Sequence, residues 1–221
     1  MKELSEGVIR GIIEIEVRDK NGKLLKQLRR PMKSWVRNFL AILSAWLGAV
    51  VSTANWEAYE KNVVDVEGSV QPFVGGFKGD GGYAYTYYAT IKAPEGDDTW
   101  GIVVGIGTTK QAPDDYNLEN KIAHGDATGQ LLYGAVTVED PAVSNNTITM
   151  RLIRTFSNSS GGSVNVQEFG IIMYHYFRYN VSGHVYTREF KVLVARDVLD
   201  TPVSVPDGGT LTVRYIIQVT T

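Results

Sequence analysis

The chain has 221 residues, with 22 Lys and Arg against 24 Asp and Glu, a formal charge of −2. Hydrophobic residues at 43% and charged residues at 21% are the proportions of a folded globular chain and exclude wholesale disorder. Cysteine is absent, which excludes disulfides, thiolate zinc sites and thiol catalysis, and the near-neutral charge argues against a generic nucleic-acid binder.

Residues 7–30 read as a β-hairpin. From Ile13 the apolar Ile13, Ile15 and Val17 alternate with Glu14, Glu16 and Arg18, the period of a half-buried strand. Asp19-Lys20-Asn21-Gly22 is turn chemistry, since Asn-Gly accepts positive φ at little cost. The return strand runs from Lys23 to Arg30, and Pro31 ends it.

Over residues 33–51 the period changes. Trp35/Val36, Phe39/Leu40, Ile42/Leu43, Trp46/Leu47 and Val50 recur every three to four residues, which predicts one amphipathic α-helix with Ser34 as its N-cap. The apolar run Phe39–Val51, followed by Ser52-Thr53-Ala54, imitates a signal peptide. A hairpin precedes it, however, and the run is shorter than the roughly 18–20 residues of a membrane span. The expectation is a helix packed on protein, in a chain made in the cytoplasm, with no membrane partner.

From residue 62 onward the chain reads as strands and turns. Candidate strands are Val63–Pro72, Tyr83–Lys92, Trp100–Gly105, Gly129–Val138, Thr147–Phe156, Val164–Tyr179, His184–Val194 and Thr210–Thr220, separated by Gly, Asn, Asp and Pro clusters. The expected fold is mainly β: an antiparallel β-sandwich, jelly-roll-like, with an N-terminal β-hairpin and one amphipathic α-helix. The expected division is a hairpin-plus-helix attachment element over residues 1–56 and a β-sandwich body over 57–221. Residues 1–40 carry ten basic and five acidic residues (+5), and residues 41–221 carry 12 and 19 (−7). Solvated faces explain such a split, and so does one copy's N-terminus facing another copy's acidic body.

No catalytic motif stands out. His124, His175 and His184 have no metal-ligand spacing, and no Gly-x-Ser-x-Gly elbow supports a Ser/His/Asp triad. Gly105-Ile106-Gly107 fails as a dinucleotide loop because Lys110 stands where a third glycine is required. Asp97/Asp98 and Asp114/Asp115 lack the alternation of a calcium loop and read as solvated turn acids. No catalytic, cofactor-binding or metal residue is nominated, and no cofactor is expected. Tyr83, Tyr85, Tyr87 and Tyr88, with Tyr174, Tyr176 and Tyr179, read as sheet packing combined with subunit contact. The sequons at Asn145, Asn158 and Asn180 read as chance. Glu168, set among Phe169, Ile171 and Ile172, needs a buried partner, and Arg154 and Arg196 are the candidates. Gly105, Gly107, Gly125 and Gly170 beside strands suggest bulges or close backbone approach.

Three stretches resemble structural proteins of tailed phages and related thermophilic or archaeal viruses, of the tail, fibre and capsid-surface kind. The first is Val17-Arg18-Asp19-Lys20-Asn21-Gly22-Lys23, leading to Lys33-Ser34-Trp35-Val36-Arg37-Asn38-Phe39-Leu40. The second runs from Val103-Val104-Gly105-Ile106-Gly107-Thr108-Thr109 through Ala112-Pro113-Asp114-Asp115-Tyr116-Asn117-Leu118 to Ile122-Ala123-His124-Gly125, with Ile106 where Thr or Ser is more usual. The third joins Arg154-Thr155-Phe156-Ser157-Asn158, Glu168-Phe169-Gly170, Val194-Ala195-Arg196-Asp197 and Leu211-Thr212-Val213-Arg214-Tyr215. The resemblance implies a non-enzymatic virion protein, a homo-oligomer partnered by copies of itself and other virion proteins. The alternative is a carbohydrate-binding or receptor-binding adhesin on the same sandwich. Trp35, Phe39 and Trp46 on the helix, and Tyr116, Leu118 and Ile122 in the long Gly105–Gly125 loop, are the expected subunit contacts.

Overall fold

The alternation over residues 13–18 is realised as a strand whose Ile13, Ile15 and Val17 are buried, while Glu14 and Glu16 meet Arg214 on the opposite face. This strand, β1 (Val8–Arg18), pairs with β2 (Leu24–Pro31) across a turn fastened by Asp19, whose Oδ1 accepts the Asn21 and Lys23 N–H groups at 2.9 Å. The computed structural model describes residues 8–47, 60–74, 86–181 and 184–220.

After the helix α1 (Arg37–Leu47) come β3 (Glu60–Val64), β4 (Val70–Val74), β5 (Thr86–Thr90) and β6 (Gly101–Gly105). The short β7 (Leu132–Tyr133), β8 (Thr137–Val138) and β9 (Ala142–Ser144) follow. The long β10 (Thr147–Ser157), β11 (Val164–Val181), β12 (His184–Val205) and β13 (Thr210–Thr220) complete the order. Sheet A runs β2-β1-β13-β10, with β7, β8 and β9 in succession along the far edge of β10. In sheet B, β12 pairs with β11, whose other edge carries β5 and β6 in turn. Every strand pairing among the described residues is antiparallel, and the two sheets share one hydrophobic core, as expected of a β-sandwich.

Several expectations are corrected. The hairpin is no appendage: β1 lies inside sheet A, registered along eleven residues of β13, so a division at residue 56 would cut through the core. The helix begins at Arg37, later than the periodicity suggests, and residues 48–51 of that stretch lie outside the described residues. Ser34 does not cap it; the Ser34 hydroxyl donates to the Arg196 carbonyl at 2.7 Å instead. The segment Ser34–Val36 lies along the edge of β12, with Trp35 bridged to Ala195 and the Val36 N–H donating to Val194 O. Val63–Pro72 is no single strand. Asp65 folds it into the β3–β4 hairpin by accepting the Glu67 and Ser69 N–H groups. Gly129–Val138 splits into β7 and β8, while β12 continues past Val194 to Val205. Tyr83, Tyr85 and Trp56 lie outside the described residues.

Candidate functional site

The long loop expected between Gly105 and Gly125 is ordered around a buried ion pair. Glu168 on β11 and Arg196 on β12 meet with Nε 2.7 Å from Oε1. Glu168 also accepts the backbone N–H of Glu119 (2.7 Å, on Oε1) and of Asn120 (3.1 Å, on Oε2), which holds the loop over the sheet. Arg196 extends Nη1 to Asp115 Oδ2 (2.8 Å) and Nη2 to the Thr109 carbonyl (3.1 Å). Burial disfavours the charged guanidinium, but the Asp115 and Glu168 carboxylates outweigh it, and the Arg196 pKa lies above its usual value. Glu119 closes the far side by accepting the Thr108 and Thr109 N–H groups and the Thr109 hydroxyl. These hydrogen bonds hold its carboxyl below the ordinary range.

Glycine makes this approach possible. A Cβ on Gly105 would stand 2.6 Å from Glu168 Oε2, and one on Gly107 would stand 2.5 Å from it. Beside the pair opens a cleft of about 560 Å³, bounded by Glu67, Thr109, Asp115, Tyr116, Glu119 and Arg196. Both oxygens of Glu168 are engaged by donors of the chain itself, so the pair serves as a clasp for the loop.

A second buried cation works differently. Arg154 faces the core between Leu152 and Phe156, and its donors go to five backbone carbonyls. Nε reaches Gly134 (2.6 Å), Nη1 reaches Trp100 and Ile102 (3.1 and 2.9 Å), and Nη2 reaches Pro94 and Asp97 (3.2 and 2.6 Å). The Tyr133 ring lies 4.8 Å from the guanidinium carbon. Desolvation lowers the Arg154 pKa to about 10. Of the two partners considered for Glu168, Arg196 is the one in place. The carbonyl cage around Arg154 was not foreseen, although an arginine in phase with Leu152 and Phe156 on a strand signals an inward-facing cation.

Asp197 forms a third cluster. Its Oδ1 accepts the Lys33 N–H at 2.8 Å and lies 3.3 Å from Arg30, tying the end of β2 to β12. Oδ2 and the Tyr215 hydroxyl are buried without a hydrogen-bond partner among the described residues. Burial raises the Asp197 pKa to about 6, and burial together with the Asp197 charge pushes the Tyr215 phenol up.

The remaining titratable candidates have structural places. His124 Nδ1 accepts the Tyr133 N–H at 3.0 Å. His175 is stacked on Phe190, with Phe73 4.7 Å away, and burial lowers its pKa to about 4. Asp97 accepts from Thr99 and from the Trp100 indole. Burial works to raise its pKa, but these bonds outweigh it and leave the carboxyl below its usual range. Asp98 pairs with Lys121 at 3.0 Å. No group of three or more potential metal ligands occurs among the described residues. The sequon residue Asn158 is buried and donates to Gly162 and Val205 carbonyls.

The six expected subunit contacts divide. Leu118 and Ile122 belong to this chain's own core, Leu118 packing where Gly170 leaves room, so they are corrected from contact residues to core residues. Trp35 and Phe39 are half-buried and stacked on each other at 4.1 Å. Tyr116 is 46% exposed, its ring lying against Gly68. Trp46 is exposed and stands edge-on to Phe73. No described helix is long and apolar enough to cross a membrane. The chain matches no family model, no curated protein and no solved structure.

Proposed function

We propose that the chain is a non-enzymatic structural subunit of a virion, made in the host cytoplasm, that associates with copies of itself or docks symmetrically on a capsid or tail. The outer face of α1 carries the reading. Asn38, Ile42 and Ala45 satisfy the helix's inner face, yet Leu40 (63% exposed), Leu43 and Leu47 (80%) line its outer one. A stripe of that kind on a surface helix is the signature of a contact made with another molecule. The phage-like stretches support the reading in a second way. Asp115, Glu168 and Arg196, drawn from two of them, form one clasp whose groups serve the fold. The deciding measurement is sedimentation with electron microscopy of the whole chain, and large regular particles or filaments are expected. A chain that stays monomeric at every concentration refutes the reading.

An adhesin is the second reading, favoured by the aromatic array around Tyr88. Tyr88 is exposed and stacked on Tyr176 at 4.9 Å, with Tyr174 and then Trp100 continuing the row. Such faces stack on sugars. Glycan binding that is lost in Tyr88→Ala would support it.

A further inference from the structure

Sheet A has two edges of different character. On one side β2 pairs with β1 alone among the described residues, and Lys23-Leu24-Leu25-Lys26-Gln27-Leu28-Arg29-Arg30 holds four basic residues and no acid. On the other side β8 and β9 pair with β10 alone among the described residues, and Thr137-Val138-Glu139-Asp140-Pro141-Ala142-Val143-Ser144 holds two acids and no base. Glu139 is partly matched by Arg151 at 3.0 Å, whereas Asp140 is exposed. Both edges expose large apolar side chains: Leu24 and Leu25 (50%) on the first, Val138 and Val143 (73%) on the second. Sheet B has parts of two of its edges covered by other segments of the chain. Residues Ser34–Val36 lie along β12, and Lys121 and Ile122 lie along β6.

We propose that sheet A continues from one copy of this chain into the next, the β2 edge of one copy pairing with the β8–β9 edge of its neighbour. The proposal rests on the reading of the chain as a self-associating subunit and adds a second contact to that of the outer face of α1. An unpaired strand edge is a template for a further strand, and charges on it decide which strands are admitted. Arg29 and Arg30 are matched within the chain by Glu14 (3.7 Å) and Asp197 (3.3 Å), but Lys23 and Lys26 repel a second β2, which closes off the symmetrical β2–β2 contact, and they attract an edge of opposite sign. Pro141 lacks an N–H, so the new ladder forms on Ala142-Val143-Ser144. Because the two patches differ, the contact is head-to-tail and repeats into a ring or a filament.

Charge reversal tests this, with assembly of the full chain read by sedimentation velocity. With Arg29, Arg30 and Glu139 ion-paired within the chain, Lys23→Glu/Lys26→Glu turns the remaining charge of the β2 edge acidic, like that of the other edge, and Asp140→Lys turns the remaining charge of the β8–β9 edge basic, like that of β2. Each variant alone should associate about a hundredfold more weakly than the unaltered chain. Mixed one to one, the two should recover association as alternating copies, which also shows that both are folded. Association of the unaltered chain should weaken with added salt. If each variant assembles like the unaltered chain, or if mixing restores nothing, the edge contact is wrong while the subunit reading stands. If the unaltered chain never associates, the subunit reading falls and takes the edge contact with it.

Discussion

A carboxylate and a guanidinium that are both buried stabilise a fold only through the geometry that surrounds them. Glu168 and Arg196 meet that condition, with four backbone or side-chain partners besides each other. Glu168→Ala should therefore cost about 3 kcal/mol in chemical denaturation, since Arg196 stays buried with one partner gone. Asp197 behaves in the opposite sense. Its pKa of about 6 in the fold stands above the ordinary aspartate value of 3.8, so between those values the folded chain holds a proton that the unfolded chain has released. This contribution is complete below about pH 4 and is lost as the pH rises through 6. Melting temperatures at pH 5, 6 and 7 should fall in that order, and Asp197→Asn should flatten the trend. A trend unchanged in the variant would place its source elsewhere.

The long loop and α1 each divide into a side that holds the fold and a side that faces outward. In the loop, Leu118→Ser should destabilise the isolated chain by about 3 kcal/mol, as loss of a buried leucine does. Tyr116→Ser should leave the melting temperature nearly unchanged, and any effect it has should fall on association. In the helix, Ile42→Ala should lower stability by about 2–4 kcal/mol, while Leu40→Ser with Leu47→Ser should abolish association at unaltered stability. The hairpin has no such division. Removing residues 1–31 takes Ile13, Ile15 and Val17 from the core and exposes the flank of β13, so the truncated chain should not fold. A dispersed amide spectrum from that fragment would contradict this.

At the scale of the molecule, the features that repeat along the chain were legible and those that join distant segments were not. Period two over residues 13–18 and the turn clusters on either side of Thr147–Phe156 mark strands, and Asn21-Gly22 marks the turn, because each signal is local. Whether the hairpin stood apart or entered the sheet depended on β13, about 200 residues away, and nothing in residues 7–30 speaks of that partner. The same holds for the loop. Tyr116, Leu118 and Ile122 are equally apolar in sequence, and only the gap left by Gly170 turns Leu118 inward while Tyr116 remains outside. Glu168 announced its need for a cation, but the choice of Arg196 over Arg154 was made by the β11–β12 pairing.

That pairing of β1 with β13 also sets a timetable. As the chain leaves the ribosome, β1 emerges with its flank unmet, and the register that closes it, from Arg18↔Thr210 to Val8↔Thr220, waits for residues made about 200 positions later. The hairpin can form early, but its buried face has no lasting partner until synthesis reaches β13. Contacts so far apart along the chain are slow to close, and a nascent chain of this design keeps Ile13, Ile15 and Val17 available to chaperones until β13 has been made. Chains stalled before residue 210 should remain sensitive to protease throughout, and resistance should arise in a single step once β13 clears the exit tunnel.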